Sequence, residues 1–517
     1  MGSAAFVSEF ALDEIFTMSF RPAAVLFAAA VGPIFVASVG QADQPDPPDA
    51  TPRGGRPNVV WIIADDLSPE LGCYGYGSVQ TPNVDRLAAE GTKFTLAFAT
   101  APVCSSSRTA FQTSQYQTTI GGHHHDTRIK PDLPEHVPTV TGLMRAAGYH
   151  VSNGRGDADQ PNAIAKSHWN FVYDEKTFFD SRDWSDRQPG QPFFAQVQIR
   201  EPHRPFVQRS REYPDAFIPP YYPDHSITHA DWGNYLASIE RMDQKVGRVL
   251  KRLDDEGLSE NTLVMFFGDH GRPHVRDKQW LYDGGVHVPL LVRWPGRIAS
   301  GQTDRRLVSL LDLMPTTLAA AGVPLASDTK LQGHSLLDPQ WKGHERLFAA
   351  RDRCGEAVDR IRSVRDRRFK YIRNFHVERP YLQHSSYKKL MYPVLTLMQV
   401  LHDAGQWDSR LMSDRRAPEE LYDLRSDPHE MHNLASQTSS AETLRSMRNA
   451  LDDWIVRSGD LGSVNEALTV DMEALTAEKW SWFSATMKKR GLTPETSDQR
   501  YLDWWREQLR PAEAAPE

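Results

Sequence analysis

The stretch NVVWIIADD, residues 58–66, decides the fold class. After Asn58, residues 59–64 form a short, continuous apolar run, which is typical of a strand buried on both faces of a parallel sheet. Two acidic residues, Asp65 and Asp66, follow the run at once. We therefore expect a central strand whose carboxyl end carries two carboxylates.

Further strands and helices alternate along the next 200 residues. Strands are predicted at 149–152, 193–199 and 262–267, and helices at 81–91, 139–147 and 235–253, with Thr81 as the N-cap of the first helix. Alternating strands and helices predict an α/β fold with a mainly parallel central sheet and helices on both faces.

The pattern changes near residue 345. The segment 361–375 is predicted to be strand, turn and strand, and 419–435 a strand and a turn that lead into a helix. These elements predict a smaller C-terminal subdomain with an antiparallel sheet. The last 60 residues are predicted to be helical and amphipathic, with tryptophans that pack onto the main body.

The amino terminus resembles an export signal. Arg21 precedes an apolar run from Ala23 to Val39, and small residues follow it. We expect an exported, periplasmic or secreted protein without stable membrane insertion, although a lysosomal setting is also compatible with the sequence. The predicted domain plan is a leader and signal peptide (1–42), a Pro-rich linker (43–57), a catalytic domain (58–344), an α+β subdomain (345–455) and a helical extension (456–517).

Composition excludes two classes of protein. The chain has 517 residues, with 67 acidic against 59 basic side chains and a net charge of −8, so it lacks the basic excess of a general nucleic-acid binder. Three cysteines, Cys73, Cys104 and Cys354, are too few for a disulfide scaffold.

Polar residues follow three of the predicted strands. Asp65 and Asp66 follow the first, His203 follows the strand at 193–199, and Asp269 with His270 follows the strand at 262–267. In open α/β sheets the ligand site lies beyond the carboxyl ends of the strands. Asp65, Asp66, Asp269 and His270 therefore form a candidate site for a hard divalent cation, Ca²⁺ or Mg²⁺.

Cys104 begins the run CSSSRTAFQTS, residues 104–114, which leads into a predicted helix. A helix N-terminus favours an anion, and Arg108 lies one turn further along the same face. An arginine beside a nucleophile suits a tetrahedral oxyanion such as sulfate or phosphate.

The motif C-S-S-S-R at 104–108 resembles the activation motif of the type I sulfatases, in the alkaline-phosphatase superfamily. Ser106 stands where that motif usually has Pro or Ala. The resemblance implies that Cys104 is oxidised to formylglycine, whose hydrate is the nucleophile, and that a formylglycine-generating enzyme acts on the chain. It also implies a sulfatase fold.

The likeness extends over about three quarters of the chain, from Asn58 to Ala435. The segments NVVWIIADD, AKSHWNF (165–171), EPHRPF (201–206), FFGDHG (266–271) and DKQWLYDGG (277–285) resemble family motifs in the family's order. The resemblance implies that Lys166 and Lys278 contact sulfate, that His203 protonates the leaving group and that His168 lies beside the nucleophile. His270 stands where Asn is commoner, and we expect His125 to touch the substrate.

Within the family, ASIERMDQKVGRVL (237–250), PHRPF and SVRDRRFKYIRNF (363–375) resemble the heparan N-sulfatases, or sulfamidases. A sulfated carbohydrate is therefore the expected substrate, through a sulfate ester or a sulfamate. The alternatives are an O-sulfatase on another polysaccharide, a phosphodiesterase or phosphonate hydrolase of the same superfamily, and a catalytically dead glycan-binding protein. The sequence does not assign an oligomeric state.

Overall fold

In a computed structural model the chain forms one large mixed sheet and one small antiparallel sheet. The structure describes residues 55–156, 165–407, 409–463 and 471–511. The predicted leader and signal peptide, and most of the predicted linker, lie outside these ranges. Residues from Pro52 onward form a single compact unit, and the finer division into domains stays a prediction.

The large sheet has seven strands in the order β3-β4-β1-β5-β6-β2-β7. The pairs β3–β4, β4–β1, β1–β5 and β2–β7 are parallel, whereas β6 runs antiparallel to both β5 and β2. The predicted fold class, mainly parallel, is therefore confirmed. The strands are β1 Asn58–Ala64, β2 Thr92–Phe98, β3 His150–Gly154, β4 Phe193–Ile199, β5 Thr262–Gly268, β6 His287–Arg293 and β7 Gln302–Ser309.

Side-chain alternation along β1 builds a core on each face of this sheet. Val60 and Ile62 belong to one apolar cluster, whereas Val59, Trp61 and Ile63 belong to the other. All of these side chains are fully buried, which explains why the strand is continuously apolar.

Helices cover both faces of the large sheet and make up the carboxyl-terminal end. They are α1 Pro82–Glu90, α2 Cys104–Thr113, α3 Val140–Ala146, α4 Ser226–Asp255, α5 Asp283–Val286, α6 Leu313–Ala321, α7 Ser386–Met391, α8 Pro393–Asp403, α9 Ala441–Ser458, α10 Met472–Lys489 and α11 Asp498–Gln508. Within the described ranges no helix combines the length and the apolar composition needed to cross a membrane.

The cap of α1 differs from the prediction. Thr81 occupies the N-cap position, but its hydroxyl accepts a hydrogen bond from the Gly72 N–H (2.9 Å). The carboxylate of Asp243, in α4, accepts from the first-turn N–H groups of Asn83 (3.0 Å) and Val84 (2.8 Å). A tertiary contact therefore caps the helix, and no local pattern predicts it.

The small sheet confirms the predicted antiparallel subdomain. Its strands are β8 Leu347–Arg351, β9 Ile361–Arg365, β10 Phe369–Asn374 and β11 Glu419–Asp423, in the order β11-β10-β9-β8. The prediction that the segment 419–435 ends in a helix is wrong. The chain turns after β11, and α9 begins only at Ala441.

Candidate active site

The predicted cation site forms where β1 and β5 end side by side. Ala64 pairs with Gly268 in the parallel register, so the residues that follow each strand are neighbours. The Asp66 N–H donates to Asp269 Oδ1 (3.0 Å), and Asp66 has a left-handed φ of 67° that turns the chain at this point. All the predicted ligands, Asp65, Asp66, Asp269 and His270, are buried here.

The donor set fits a divalent cation. Ligand atoms of Asp65, Asp269, His270 and residue 104 lie within 4.8 Å of one another. Burial raises the pKa of Asp269 to about 6, and the neighbouring Asp65 acts in the same direction. Acidic groups crowded in a dry site are the setting in which a bound cation is stabilised, and three carboxylates with one imidazole are suitable ligands.

Cys104 is the first residue of α2, as predicted, and its thiol faces the cation site. Its Sγ lies 3.2 Å from His270 Nε2, 3.6 Å from Lys278 Nζ and 3.8 Å from Asp66 Oδ1. Burial alone would raise the pKa of this thiol, but the ammonium groups of Lys166 and Lys278 hold it well below its usual range. Positive charge therefore converges on residue 104.

Arg108 lies one helical turn after Cys104 and points the same way. Its Nε donates to Asp269 Oδ2 (2.9 Å), and its Nη1 donates to Gln198 Oε1 (2.7 Å). Gln198, near the end of β4, was not predicted as a site residue. The run FFAQVQI has two buried glutamines, Gln196 and Gln198, and the position of Gln198 next to the carboxyl end of the strand was the signal that could have found it.

Each of the two predicted sulfate-binding lysines is paired with an aspartate. Lys166 Nζ donates to both oxygens of Asp65 (2.9 and 2.7 Å), and Lys278 Nζ donates to both oxygens of Asp66 (2.8 Å each). The two ammonium groups thus lie at the same centre as the carboxylates and residue 104. This is the arrangement that their predicted role requires.

The three predicted site histidines other than His270 lie around this centre. His203 Nε2 is 3.9 Å from Asp66 Oδ2, and its Nδ1 lies 2.5 Å from the Arg204 carbonyl oxygen, so Nε2 faces the site. His168 pairs with Asp126, which raises the pKa of that imidazole against the effect of burial. The His125 ring lies 6.0 Å from the His168 ring. Asp126 was not among the predicted site residues.

A cleft of about 640 Å³ lies above residue 104. All the predicted catalytic and substrate-binding residues except Arg108 border this cleft: Cys104, His125, Lys166, His168, His203 and Lys278. The sequence did not predict its remaining walls, which come from the turn after β8 and from α7 and α10; they include Arg353, Glu356, Tyr387, Lys479 and Trp482.

Two family models match the chain. The model named Sulfatase matches residues 57–323, which include every predicted site residue. The chain belongs to the sulfatase family. It is therefore a hydrolase of sulfuric esters, as the motifs predicted. The carboxyl-terminal model of N-sulphoglucosamine sulphohydrolase also matches this sulfatase, at residues 268–383.

Characterised relatives cover most of the sulfatase. An ulvan-active sulfatase of Formosa agariphila is 30% identical over 468 residues, which are 80% of this chain and 77% of the relative. Human N-sulphoglucosamine sulphohydrolase is 28% identical over 458 residues, 77% of this chain and 89% of the relative.

A solved structure in complex with its substrate, D-glucosamine-2-N,6-O-disulfate, has the same fold. It superposes with a TM-score of 0.59 at 17% identity, over 80% of this chain and all of the other. At this identity the likeness shows the fold alone.

Proposed function

We propose that this sulfatase hydrolyses sulfated carbohydrates at residue 104, and that N-sulfated glucosamine is its first candidate substrate. The observation that carries the proposal is the centre at the start of α2, where residue 104 lies among three cations and three buried carboxylates. The match to the N-sulphoglucosamine sulphohydrolase carboxyl-terminal model supports the choice of sugar.

Conversion of Cys104 to formylglycine would supply the oxygen nucleophile, as a hydrated aldehyde. Residue 104 is buried at the bottom of the cleft, at the amino end of a ten-residue helix. The N-terminus of a helix is a favourable place for an anion. The N-terminus of α2 therefore favours a sulfate group beside residue 104, in addition to the side chains described next.

Arg108, Lys166 and Lys278 neutralise the sulfate oxygens. Their charges now rest on carboxylates 2.7–2.9 Å away. Sulfate oxygens would share these donors, and the donors are already fixed before the substrate arrives. Fixed donors in a dry site stabilise developing charge more than water does.

Asp65, Asp66, Asp269 and His270 would hold a divalent cation, Ca²⁺ or Mg²⁺. Such an ion stabilises negative charge on the reacting oxygens. The carboxylates supply the oxygen ligands that both ions prefer, and His270 supplies a nitrogen in the fourth place.

Two histidines divide the proton transfers. His203 presents Nε2 to the centre and would protonate the leaving oxygen or nitrogen. Burial lowers the pKa of His203 in the free protein, and the negative charge of a bound sulfate acts in the opposite direction. His168, oriented by Asp126, would accept the proton of the second hydroxyl of the hydrate, so that sulfate leaves and the aldehyde forms again.

An O-sulfated polysaccharide is the second candidate substrate. The relative that is 30% identical is an ulvan-active sulfatase. The residues at the centre do not distinguish the nitrogen of a sulfamate from the oxygen of an ester as leaving atom. Substrate choice therefore depends on the walls of the cleft.

Sulfate release from two glucosamine substrates separates the candidates. Purified protein, coexpressed with a formylglycine-generating enzyme, is assayed on N-sulfated and on 6-O-sulfated glucosamine. Release from the N-sulfated sugar alone supports a sulfamidase, and release from the O-sulfated sugar alone replaces it with an O-sulfatase. If Cys104→Ala releases sulfate at the wild-type rate, the role of residue 104 is wrong.

Export to the periplasm or the medium is part of the proposal. It is supported by the signal-like sequence at 18–42, and the formylglycine-generating enzyme is the expected maturation partner.

A further inference from the structure

Helix α10 presents two different faces to the protein. Phe483 and Met487 are buried in an apolar cluster with Leu390 of α7, which anchors the helix. Leu475, Glu478, Lys479 and Trp482 follow the spacing i, i+3, i+4 and i+7 and border the cleft above residue 104. The predicted extension thus does more than pack onto the main body, because one face of α10 lines the cleft.

An ion pair ties this second face to the active-site loop. Arg128 of the loop that carries His125 and Asp126 pairs with Glu478 of α10. The same carboxylate also pairs with Lys479 (3.4 Å), so one negative charge faces two cations and a net positive charge is left in the cleft. The cleft is lined by five basic side chains, Arg128, Lys166, Lys278, Arg353 and Lys479, against the three acidic ones of Asp126, Glu356 and Glu478.

Trp482 is exposed within this basic cleft. Its relative exposure is 38%, a large apolar area for water to cover. Trp480, two residues away on the same helix, is 48% exposed but contacts His384 and Phe483 and does not border the cleft. An indole beside cationic groups matches a ligand with both an apolar face and negative charge, as a sulfated or uronic sugar has.

We propose that α10 binds the sugar unit next to the one that carries the scissile sulfate. Trp482 takes the apolar face of that neighbouring ring, and Lys479 pairs with an anionic substituent on it, either a carboxylate or a second sulfate. The inference rests on the proposed function and deepens it: the substrate is an oligosaccharide, and the carboxyl-terminal extension selects it.

Binding without turnover tests the inference. Cys104→Ala protein is titrated with a heparin-derived and an ulvan-derived tetrasaccharide by calorimetry, with and without Trp482→Ala. We expect Trp482→Ala to weaken the better tetrasaccharide about tenfold, and Trp480→Ala, the matched control on the same helix, to leave its Kd unchanged. The inference is overturned if Cys104→Ala protein binds the tetrasaccharide equally well alone, with Trp482→Ala and with Trp480→Ala. It is also overturned if Cys104→Ala protein binds neither tetrasaccharide.

Turnover separates this inference from the proposed function. In the converted enzyme, Trp482→Ala should raise KM for the tetrasaccharide more than KM for the matching sulfated monosaccharide, with kcat less affected. Equal loss on both substrates would contradict a subsite on α10 while sulfatase activity remained. Wild-type protein that released sulfate from neither substrate would instead contradict the proposed function.

Discussion

The Arg108 guanidinium contacts two carboxylates, those of Asp269 and Asp65, and the amide oxygen of Gln198, and its planar shape lets it reach all of them at once. A lysine at this position keeps the charge but cannot reach Asp269 and Gln198 together. We expect Arg108→Lys to lower kcat/KM about 100-fold with a small change in melting temperature. Arg86→Lys, at an exposed position, is the control; a rate within threefold of wild type would contradict the role of Arg108.

His270 is the one nitrogen donor among the proposed cation ligands. An asparagine would replace its ring nitrogen with an amide oxygen, the donor that Ca²⁺ prefers. We expect His270→Asn to bind Ca²⁺ at least as tightly as wild type, as measured by calorimetric titration of metal-stripped protein. Loss of Ca²⁺ binding in this variant would show that the imidazole is required, and that a metal accepting nitrogen ligands is the natural one.

Lys388 is a buried cation outside the catalytic centre. It is 4% exposed, its Nζ donates to the Val275 carbonyl oxygen (3.0 Å), and burial together with Arg351 lowers its pKa to about 7. Between about pH 7 and the ordinary lysine value of ~10.4, the unfolded chain binds a proton that the folded protein does not. The cost of burying this lysine is therefore greatest below pH 7 and falls as the pH rises.

Replacing Lys388 tests whether the cost of burying this lysine falls as the pH rises. We expect Lys388→Met to stabilise the protein by about 1–4 kcal/mol at pH 6, with a smaller gain at pH 9. Thermal melts at the two pH values measure it, with Lys251→Met, at a 71% exposed side chain, as the control. A gain that grows with pH would contradict the lowered pKa.

At the scale of elements, α1 and α4 are joined through the cap that Asp243 provides. We expect Asp243→Ala to lower the free energy of unfolding by about 1–2 kcal/mol, because two first-turn N–H groups of α1 lose their acceptor. Melting curves measure the loss, and turnover should not change. Asp255→Ala, at the exposed end of the same helix, should have no effect; equal losses would contradict the capping role.

The predicted and observed bounds of the elements also show which structures a local sequence pattern can identify. β4 lies at the predicted bounds, because most of its residues are apolar and all seven are buried in the sheet. Helix α4 begins at Ser226, nine residues before the prediction, because its first turns mix polar residues with the apolar ones. Asp65 and Asp269 were predictable because they follow strands, whereas Trp482 reaches the cleft only through the packing of α10.

At the scale of the whole molecule, a buried ion network joins the two sheets. Asp283, at the start of α5 beside the large sheet, accepts from Arg365 of β9 (2.8 Å) and from Lys370 of β10 (2.5 Å). Glu430 adds a second carboxylate, 2.8 Å from Lys370. The small sheet is therefore fixed to the catalytic sheet by buried cations on a carboxylate, Asp283, whose side chain is 23% exposed.

Breaking this network should lower the stability of both sheets together, so that they still unfold in one transition. We expect Asp283→Ala to cost about 3–5 kcal/mol, since it leaves the buried Arg365 without its carboxylate and Lys370 with Glu430 alone. Calorimetry should show a single transition at lower temperature. Two separated transitions would show that the sheets unfold independently, and an unchanged melting temperature would contradict the role of the network.

The central claim is that residue 104, once converted, is the nucleophile of a sulfatase. The most direct measurement expresses the protein with graded amounts of a formylglycine-generating enzyme. It then compares the converted fraction of residue 104, from peptide mass spectrometry, with the rate of sulfate release from N-sulfated and 6-O-sulfated glucosamine. The account predicts a rate proportional to the converted fraction on at least one sugar. Full activity in protein whose residue 104 is still cysteine would contradict it.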